Sequence, residues 1–450
     1  MMRDGDTVQS DRGRLQQMLE GSPYLTYLYS YPHKTAHRPL DPMPLERLWR
    51  DEHRDGLSLY FHIPFCSMRC GYCNLFSSKT RLRAAQVQPF LAAIERQARA
   101  VRRALGDARF ARFAMGGGTP TSLLLGDLGR VLDVAERIMG ADLENAPACV
   151  EISPETAAGD KLRLLRERGI DRISVGIQSF LEPELAALGR RQSPTRVRGV
   201  LEQVRSLGFP TLNIDLIYGT LGQDEHSFEQ SLGQALRYRP EEIFLYPLYV
   251  RPLTQLGQSG RSWDDQRLAL YRLGREVLLG AGYRQLSMRM FRAEQAPAQH
   301  GPRYRCQEDG MVGLACGARS YTEHLHYSTE WAVSPAAVDR LIDAYIARSD
   351  RSLAHADHGI HLDGEDRRRR HVILSLLQAE GLDLAYYRER FASSPLDDLP
   401  ELSELEPAGL VRQTDGRLVL TEAGLERSDL IGPWLHSSRV QHLIDTYQLR

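Results

Sequence analysis

The 450-residue sequence has few cysteines, only three lysines, almost no net charge and no long apolar run. Six cysteines are too few to cross-link a chain of this length, which excludes a disulfide scaffold. The 57 Lys+Arg and 58 Asp+Glu residues leave a net charge of −1, so we expect no general attraction to nucleic acid or to an anionic membrane. Three lysines leave few candidates for Schiff-base chemistry.

Targeting signals are absent as well. The opening stretch MMRDGDTVQS is polar and contains no apolar segment, so we expect no secretory signal. No stretch approaches the roughly 18 uncharged apolar residues of a membrane span, so we expect none. The length allows two or three domains, and 42% hydrophobic with 26% charged residues is typical of globular proteins. We therefore expect a cytoplasmic protein whose few cysteines carry chemistry.

Short apolar runs alternate with segments of helical periodicity from residue 57 onward. The runs predict six strands, at 57–63, 110–115, 148–152, 172–177, 211–217 and 243–249. The periodic segments predict helices at 84–105, 128–138, 160–168, 195–207, 225–238 and 264–281. Six strand–helix repeats predict an α/β fold with a parallel sheet, either doubly wound or a full or partial (β/α) barrel. In each case the chemistry belongs at the C-terminal ends of the strands.

Further segments flank the predicted core at 56–290. Residues 1–55 form an extension that is rich in aromatic residues at 24–39, and we expect it to lie against the core. Residues 291–365 form a connecting, substrate-side region. Residues 366–450 combine two predicted helices with a hairpin signal at Asp415-Gly416, a pattern typical of a small winged-helix unit. We expect the extension and this C-terminal unit to cap the mouth of the barrel together.

Three of the six cysteines, Cys66, Cys70 and Cys73, follow directly after the first predicted strand. The spacing C-x3-C-x2-C supplies three thiolates from one loop, as three corners of a [4Fe–4S] cluster require. The fourth iron would then be open to a chelating ligand, such as the amino and carboxylate groups of a methionine moiety. Structural zinc held with His62, and a redox pair of Cys70 and Cys73, are the alternatives, although no second cysteine pair supports zinc. The other cysteines are expected to be structural, namely Cys149, Cys306 and Cys316.

The cysteine loop is part of a longer pattern, Y-x-H-I-P-F-C-x3-C-x-Y-C, over residues 60–73. The motifs MGGGTPT, VEISPE, RISVGIQSF, ALGRRQ and NIDLIYG follow it in order along the later strands. Together they resemble the radical S-adenosylmethionine (SAM) enzymes and, more narrowly, their oxygen-independent coproporphyrinogen III oxidase-like branch. The resemblance covers about 56–325 strongly and the C-terminal unit weakly. It implies a partial (β/α)6 barrel of the TIM type with a small C-terminal winged-helix-like domain.

The resemblance also implies two cofactors, a [4Fe–4S] cluster and SAM. In this family the reduced cluster cleaves SAM to a 5′-deoxyadenosyl radical, which abstracts hydrogen from a C–H bond. A reducing partner such as flavodoxin or ferredoxin is implied as well. The implied cluster ligands are Cys66, Cys70 and Cys73. The implied SAM-binding residues are Tyr60, Tyr72, Gly117, Gly118, Thr119, Glu151, Gln178, Arg190 and Asp215.

Several of these residue types suit the role on chemical grounds. Consecutive glycines let the backbone approach a ligand without interference from Cβ atoms. Glu151 and Asp215 can accept hydrogen bonds from ribose hydroxyls, and the amide of Gln178 can both donate and accept. The guanidinium of Arg190 can hold a carboxylate with two hydrogen bonds. No residue is identified as acting on the substrate, and plausible wall residues are Tyr249, Met288 and Arg289.

The resemblance points to a small-molecule substrate, and to tetrapyrroles first. Leu75 stands where coproporphyrinogen dehydrogenases carry a fourth cysteine. The form with three cysteines also occurs in haem-trafficking relatives and in radical methyltransferases that use two SAM molecules. A haem chaperone and a two-SAM radical methyltransferase are therefore the alternative functions. Candidate haem ligands are His33, His37, His324 and His326.

Winged-helix units often bind DNA, but the C-terminal unit lacks the charge for it. Residues 366–450 contain 11 arginines against 14 acidic residues. Phosphate binding needs a basic face, so we expect no nucleic-acid partner. The basic run at 367–370 is expected to be a solvated helix start or a contact with acidic groups.

Overall fold

The computed structural model describes residues 13–260, 265–298 and 308–450. Its strands, in chain order, are β1 (Arg38–Pro44), β2 (Leu57–Ile63), β3 (Phe65–Cys66), β4 (Ser78–Lys79), β5 (Phe110–Gly117), β6 (Ala148–Ile152), β7 (Arg172–Gln178), β8 (Thr211–Tyr218), β9 (Glu242–Pro247), β10 (Tyr283–Gln285), β11 (Met290–Ala293), β12 (Met311–Leu314), β13 (Arg319–Tyr321), β14 (Leu325–Ser328), β15 (His355–His361), β16 (Leu382–Asp383), β17 (Val411–Thr414) and β18 (Arg417–Leu420).

The α-helices, in chain order, are α1 (Arg14–Leu19), α2 (Leu45–Trp49), α3 (Thr80–Leu105), α4 (Leu125–Asp133), α5 (Gly159–Glu167), α6 (Glu182–Ala187), α7 (Pro194–Ser206), α8 (Glu225–Arg237), α9 (Gln255–Gln258), α10 (Arg267–Gly280), α11 (Pro335–Ala347), α12 (Asp350–Leu353), α13 (Gly364–Leu376), α14 (Leu384–Phe391), α15 (Pro395–Asp398), α16 (Glu422–Leu425), α17 (Ser428–Trp434) and α18 (Ser438–Asp445). Short 3-10 turns lie at Lys34–Ala36, Pro120–Ser122 and Pro400–Glu404, and a π-helical turn at Val134–Ile138 continues α4.

Thirteen strands form one sheet in the order β1-β15-β14-β13-β12-β2-β5-β6-β7-β8-β9-β11-β10. The six strands β2, β5, β6, β7, β8 and β9 are neighbours in chain order, and each pairs in parallel with the next. A doubly wound sheet would reverse its strand order at one point, and this one does not. The predicted α/β fold with a partial (β/α)6 barrel is therefore confirmed, and the end strands β1 and β10 do not pair with each other within the described ranges.

The core strands are buried along almost their whole length, although polar residues alternate with apolar ones in several of them. Every residue of β2 except Tyr60 is buried, including Ser58 and His62, and β8 is buried apart from Thr211 and Asp215. Burial on both faces is typical of strands in a parallel sheet that is covered on both sides. The helices between them carry one buried face, and α8 begins with a capping box formed by Asp224 and Ser227.

The N-terminal segment bridges the core and the C-terminal unit. Its strand β1 pairs with β15 and so extends the main sheet. Tyr24 packs within the main hydrophobic core, with its ring 6.2 Å from that of Tyr218. Leu28 and Tyr31 instead belong to the hydrophobic core of the C-terminal unit. The N-terminal segment therefore lies between the core and the C-terminal unit, along the rim of the barrel.

The C-terminal unit is built around a three-stranded sheet in the order β16-β18-β17, surrounded by helices. Asp415 and Gly416 both adopt positive φ angles between β17 and β18, as a two-residue hairpin turn requires. This confirms the predicted winged-helix-like fold.

The basic run at 367–370 is engaged with the protein itself. Three of its arginines contact acidic groups: Arg367 contacts Glu323, Arg368 contacts Asp398, and Arg369 contacts Glu365 and Glu401. The fourth, Arg370, is buried. Among the described residues, no helix has the length and apolar character needed to cross a membrane.

Candidate functional site

One large cavity of about 1150 Å³ lies at the C-terminal ends of the parallel core strands. All twelve residues predicted to bind the cluster or SAM line its wall, although they come from separate strands and loops. They are Tyr60, Cys66, Cys70, Tyr72, Cys73, Gly117, Gly118, Thr119, Glu151, Gln178, Arg190 and Asp215.

The loop that carries the three cysteines is held at its base and at its tip. Cys66 ends β3, which pairs with β4, so Cys70 and Cys73 lie on the connection between these two short strands. At the tip, the backbone N–H of Gly71 donates to the carbonyl of Leu188 over 2.9 Å. A Cβ atom at position 71 would lie 3.0 Å from that carbonyl oxygen, so close approach of the loop to the barrel requires glycine.

Each of the three thiols has at least one polar neighbour. The Cys66 Sγ lies 3.3 Å from the Thr119 hydroxyl, the Cys70 Sγ accepts from Arg190 Nη1 over 3.3 Å, and the Cys73 Sγ lies 4.0 Å from the Ser77 hydroxyl. Burial raises the pKa of Cys66 to about 12 and also raises the pKa of Cys73. A redox-active thiol pair needs a lowered thiol pKa, whereas burial raises the pKa of Cys73, so the structure gives no support to a Cys70–Cys73 redox pair.

The zinc alternative lacks a fourth ligand. Both ring nitrogens of His62 have protein partners, since Nε2 lies 2.9 Å from the Phe76 carbonyl oxygen and Nδ1 lies 3.4 Å from the Tyr60 hydroxyl. Within the described ranges, no group of three or more His, Cys, Asp or Glu side chains could hold a single metal ion. Zinc–sulfur bonds of about 2.3 Å would require more tightly gathered sulfurs.

The glycine loop after β5 is packed tightly against its neighbours. Gly117 has a φ of +109°, and a Cβ atom there would lie 2.6 Å from the His62 ring. A Cβ atom at Gly118 would lie 2.6 Å from the Phe65 carbonyl oxygen. The backbone N–H of Thr119 donates to that same carbonyl over 2.8 Å. Contacts within the protein are therefore enough to require both glycines, whether or not a ligand also approaches them.

Two carboxylates face each other across the cavity floor. Glu151 near the end of β6 is exposed, and the surface it exposes lines the cavity. Asp215 on β8 accepts from Asn213 Nδ2 over 2.7 Å and from the Ser174 hydroxyl over 3.3 Å. Desolvation raises the pKa of Glu151 to about 7, with the nearby Asp215 charge contributing, and desolvation raises the pKa of Asp215 to about 6. Hydrogen-bond donors from a ligand would stabilise the two charged carboxylates and offset their desolvation.

Gln178 and Arg190 complete the polar wall. Gln178 ends β7 at a register shift with a φ of +71°, a region that non-glycine residues rarely adopt and that often marks functional positions. Arg190 is buried and donates to Gln192 Oε1, Cys70 Sγ, Ser153 Oγ and the Gly176 carbonyl. These contacts use four of the five N–H donors of a guanidinium.

One of the two predicted tyrosines, Tyr60, lies on β2, and the other, Tyr72, lies within the cysteine loop. Tyr60 points into the cavity from β2, and desolvation raises its pKa, with the Glu151 charge adding to the shift. Tyr72 packs against a small apolar cluster that includes Leu188, Ile217 and Leu248, and burial raises its pKa too. Both phenols therefore stay protonated at neutral pH.

Several cavity residues were not predicted from the sequence. Tyr29 and Lys34 enter from the N-terminal segment, Arg319 from β13, and Trp331 from the loop after β14. The only sequence signals were the aromatic character of residues 24–39 and the glycine-rich stretch at 310–321. Of the three expected wall residues, Tyr249 lines the cavity, while Met288 and Arg289 are buried and do not line it.

The four histidines considered as haem ligands are scattered. His37 and His326 are buried, and His326 Nε2 lies 3.1 Å from Arg370 Nη1. His324 is exposed and does not line the cavity. Only His33 reaches the cavity, and its Nδ1 lies 2.8 Å from the Thr35 hydroxyl.

Comparison with known proteins agrees with this geometry. Residues 60–235 match the radical SAM superfamily, and residues 362–426 match the HemN C-terminal domain. The fold matches the solved structure of coproporphyrinogen III oxidase (HemN) from Escherichia coli, described as a radical SAM enzyme. That match has a TM-score of 0.77 and 23% identity, and it covers 94% of this chain and 98% of the other.

Two curated relatives extend the comparison. The chain is 29% identical over 452 residues to an oxygen-independent coproporphyrinogen III oxidase of Pseudomonas aeruginosa, covering 93% of this chain and 94% of that protein. It is 31% identical over 271 residues to the heme chaperone HemW of Escherichia coli, covering 58% of this chain and 69% of that protein. The chain therefore belongs to the radical SAM superfamily, in the branch that contains oxygen-independent coproporphyrinogen III oxidases and the heme chaperone HemW.

Proposed function

We propose that this chain is a radical SAM oxidoreductase that binds a [4Fe–4S] cluster through Cys66, Cys70 and Cys73. SAM would occupy the same cavity, next to a small-molecule substrate from which a hydrogen atom is abstracted. One observation carries the proposal: all twelve residues implied by the family pattern line a single cavity. Packing alone does not require carboxylates, an arginine and three thiols at successive strand ends.

The donor set fits the cluster. Three free thiols come from one anchored loop, and burial raises the pKa of Cys66 and Cys73, so their thiolates need a cationic partner. When bound, the reduced cluster supplies one electron to SAM, which then yields methionine and a 5′-deoxyadenosyl radical. The protein provides binding, orientation and exclusion of water.

Glu151 and Asp215 would orient SAM through its hydroxyl groups. Asp215 is already held by Asn213 and Ser174, so its free lone pairs point in a fixed direction. Hydroxyl donors from SAM would stabilise both charged carboxylates and lower the two raised pKa values. Arg190 has one donor left after its contacts within the protein, and this N–H could hold the SAM carboxylate.

The outer wall of the cavity supports the exclusion of water. Tyr27 and Lys34 come from the N-terminal segment, while Pro433 and Ile444 come from the C-terminal unit. Tyr27 also packs against Tyr246 of the core, with ring centres 5.9 Å apart. A site closed by these two segments would protect a reactive radical from solvent.

The size of the cavity leaves room for a second molecule. Ligand pockets span about 300–1,000 Å³, and this cavity of about 1150 Å³ exceeds that range. A relative named for coproporphyrinogen III oxidation makes tetrapyrroles the first substrate class to test. Leu75 lines the cavity in place of the fourth cysteine, so we assign the function at the level of hydrogen abstraction and leave the porphyrinogen reaction as one candidate.

Haem binding is less well supported. Only His33 of the four candidate histidines lines the cavity, and its Nδ1 is engaged with Thr35. A two-SAM methyltransferase would fit the cavity volume, and transfer of a labelled methyl group from SAM to substrate would identify it. For the electron source we propose a flavodoxin or ferredoxin, which dithionite can replace in an assay.

The decisive experiment is 5′-deoxyadenosine formation from SAM by the full chain, reconstituted anaerobically with iron and sulfide and reduced with dithionite. Cys70→Ala is the test variant, and Cys149→Ser is the matched control, since Cys149 is also a free cysteine but lies on β6 outside the loop. We expect the native chain and Cys149→Ser to form 5′-deoxyadenosine, and Cys70→Ala to form none.

Other outcomes would refute the proposal in distinct ways. A protein that holds four irons but forms no 5′-deoxyadenosine, and that binds haem with a Soret band, would be a haem chaperone. A protein that holds no iron and binds zinc instead would refute the cluster. Loss of activity in Cys149→Ser as well as Cys70→Ala would mean that the thiol effect is not specific to the loop.

A further inference from the structure

Two cationic side chains, Lys34 and Arg319, lie near each other in the cavity wall, and neither has a carboxylate partner in the described part of the chain. Arg319 Nη1 donates to the Tyr29 hydroxyl over 2.5 Å, and the guanidinium carbon lies 4.6 Å from the centre of the Tyr29 ring. The Lys34 ammonium lies 4.1 Å from the centre of the Trp331 ring. The Nε of Arg319 is buried without a hydrogen-bond partner.

Two like charges held together away from bulk water are unfavourable unless an anion joins them. The ring faces of Tyr29 and Trp331 offset only part of this cost. The nearby histidines cannot supply a negative charge, and because burial lowers the pKa of His33 and His62, both rings are neutral. This part of the wall therefore favours an anionic group that the protein does not supply.

The pKa of the Tyr29 hydroxyl supports the same conclusion. Burial raises the pKa of Tyr29, but the charges of Arg319 and Lys34 outweigh burial and lower it to about 8. An oxygen anion at this point is therefore stabilised by both cations, even at the cost of desolvation. At neutral pH the phenol keeps its proton and can donate it to a bound anion.

This cationic pair is separate from Arg190, which is the arginine implied for the SAM carboxylate. Arg190 is bound to Cys70, Ser153 and the Gly176 carbonyl, whereas Lys34 and Arg319 contact Tyr29 and Trp331. Within the described ranges the two positions share no hydrogen-bond or ring contact. The cavity thus offers a second place for an acidic group.

We propose that Lys34 and Arg319, together with the Tyr29 hydroxyl, form a carboxylate-binding subsite that orients the substrate. This inference rests on the proposed function, because it takes the rest of the cavity to be filled by the cluster and SAM. The aromatic walls at Tyr27 and Trp331 suit an apolar body that carries the acidic group. A planar guanidinium fork, one ammonium and one phenol match a singly charged, planar carboxylate.

Isothermal titration calorimetry on the full chain tests the subsite without turnover. The probes are 4-phenylbutyrate, its neutral amide 4-phenylbutanamide, and inorganic phosphate, each added in the presence of saturating SAM. We expect 4-phenylbutyrate to bind about tenfold or more tightly than the amide, since hydrogen bonds to charged groups are the strong ones. Lys34→Met and Arg319→Met should each remove this preference, and Lys34→Arg should retain it.

One further variant localises the binding. Arg251→Met is the matched control, since Arg251 also lines the cavity but stacks on Tyr249 and donates to the Leu25 carbonyl, and it should leave binding of 4-phenylbutyrate unchanged. Circular dichroism confirms that each variant is folded.

Three outcomes would overturn the carboxylate subsite: equal binding of acid and amide or no binding of either, loss of binding in Arg251→Met as well as in the Lys34 and Arg319 variants, and tighter binding of phosphate than of 4-phenylbutyrate. The last of these would assign the subsite to phosphorylated ligands. Because the readout is binding, failure here is distinguishable from failure to form 5′-deoxyadenosine, which would refute the proposed function instead.

Discussion

Asp429→Asn is expected to destabilise the junction between the N-terminal segment, the core and the C-terminal unit. Asp429 lies on α17 and is buried, and its carboxylate accepts from the Arg289 guanidinium and from the Tyr249 hydroxyl. Arg289 is buried too, with its guanidinium carbon 4.0 Å from the centre of the Tyr27 ring. The backbone N–H of Thr26 donates to the Asp429 carbonyl over 3.4 Å. One ion pair therefore joins all three parts of the chain.

The size of the effect follows from the burial of Arg289. Removing one partner of a buried ion pair leaves the other charge uncompensated, which costs about 3–5 kcal/mol of unfolding free energy. Tyr249→Phe removes the hydrogen bonds of the Tyr249 hydroxyl to Asp429 and to Arg289 but leaves the ion pair intact, so it should cost less than Asp429→Asn, about 1.5–3 kcal/mol of unfolding free energy. Adding Arg289→Met to Asp429→Asn removes both charges. The loss of unfolding free energy in the double variant should therefore be smaller than the sum of the losses in the two single variants, by at least about 0.5–1 kcal/mol.

Urea unfolding of the full chain, followed by tryptophan fluorescence and circular dichroism, measures these free energies. Trp434 lies on the same helix as Asp429 and reports directly on the junction. The reasoning would be refuted if Asp429→Asn cost less than Tyr249→Phe, or if the losses of Asp429→Asn and Arg289→Met were additive. Either result would mean that the charge on Arg289 is compensated by solvent rather than by Asp429.

Three further predictions concern the cavity floor. The pKa of Asp215 is about 6 in the folded state and about 3.9 in the unfolded state, so the unfolded state loses its proton first and the unfolding free energy falls as pH rises from 4 to 6. Asp215→Asn should therefore be more stable than the native chain at pH 8, by up to about 3 kcal/mol. Near pH 3 the two should be equally stable in urea titrations. Gly118→Ala should lower the unfolding free energy by about 1–3 kcal/mol in the same assay, because its Cβ would meet the Phe65 carbonyl. The control Gly126→Ala on α4 places its Cβ in open space and should leave stability unchanged or raise it. Glu151→Gln should retain the iron content of the native chain but bind SAM more weakly by calorimetry; equal SAM affinity would remove Glu151 from the proposed site.

The core could be predicted from the sequence because its strands are short segments rich in apolar residues that alternate with segments of helical periodicity. Strands β2 and β6 have the predicted bounds, and β5, β7 and β8 extend one or two residues further, to Gly117, Gln178 and Tyr218. Strand β9 begins one residue earlier than predicted and ends two residues earlier, at Pro247. Such ends depend on hydrogen bonds to neighbouring strands, which local periodicity does not contain.

The end of the cavity at the cysteine loop could be predicted because its residues lie in short motifs. The cysteine loop and the glycine loop each occupy one strand end, so sequence spacing alone brings their side chains to the same mouth. Approach of a ligand does not by itself explain the two glycines. Their Cβ positions are already filled, at Gly117 by the His62 ring and at Gly118 by the Phe65 carbonyl. Strand-to-strand packing of this kind has no signature in the sequence.

The end of the cavity formed by Tyr29, Lys34 and Arg319 could not be predicted, because its contacts are not local. Tyr29 and Arg319 are 290 positions apart, and neither belongs to the motifs that carry the family resemblance. Lys34 pairs with Trp331 over a similar separation, through a short turn that local periodicity does not reveal. The shared motifs therefore account for the cofactors of the family, while segments outside those motifs form the rest of the wall. If the substrate differs from that of the named relatives, the difference should be sought in Tyr29, Lys34 and Arg319 rather than in the cysteine loop.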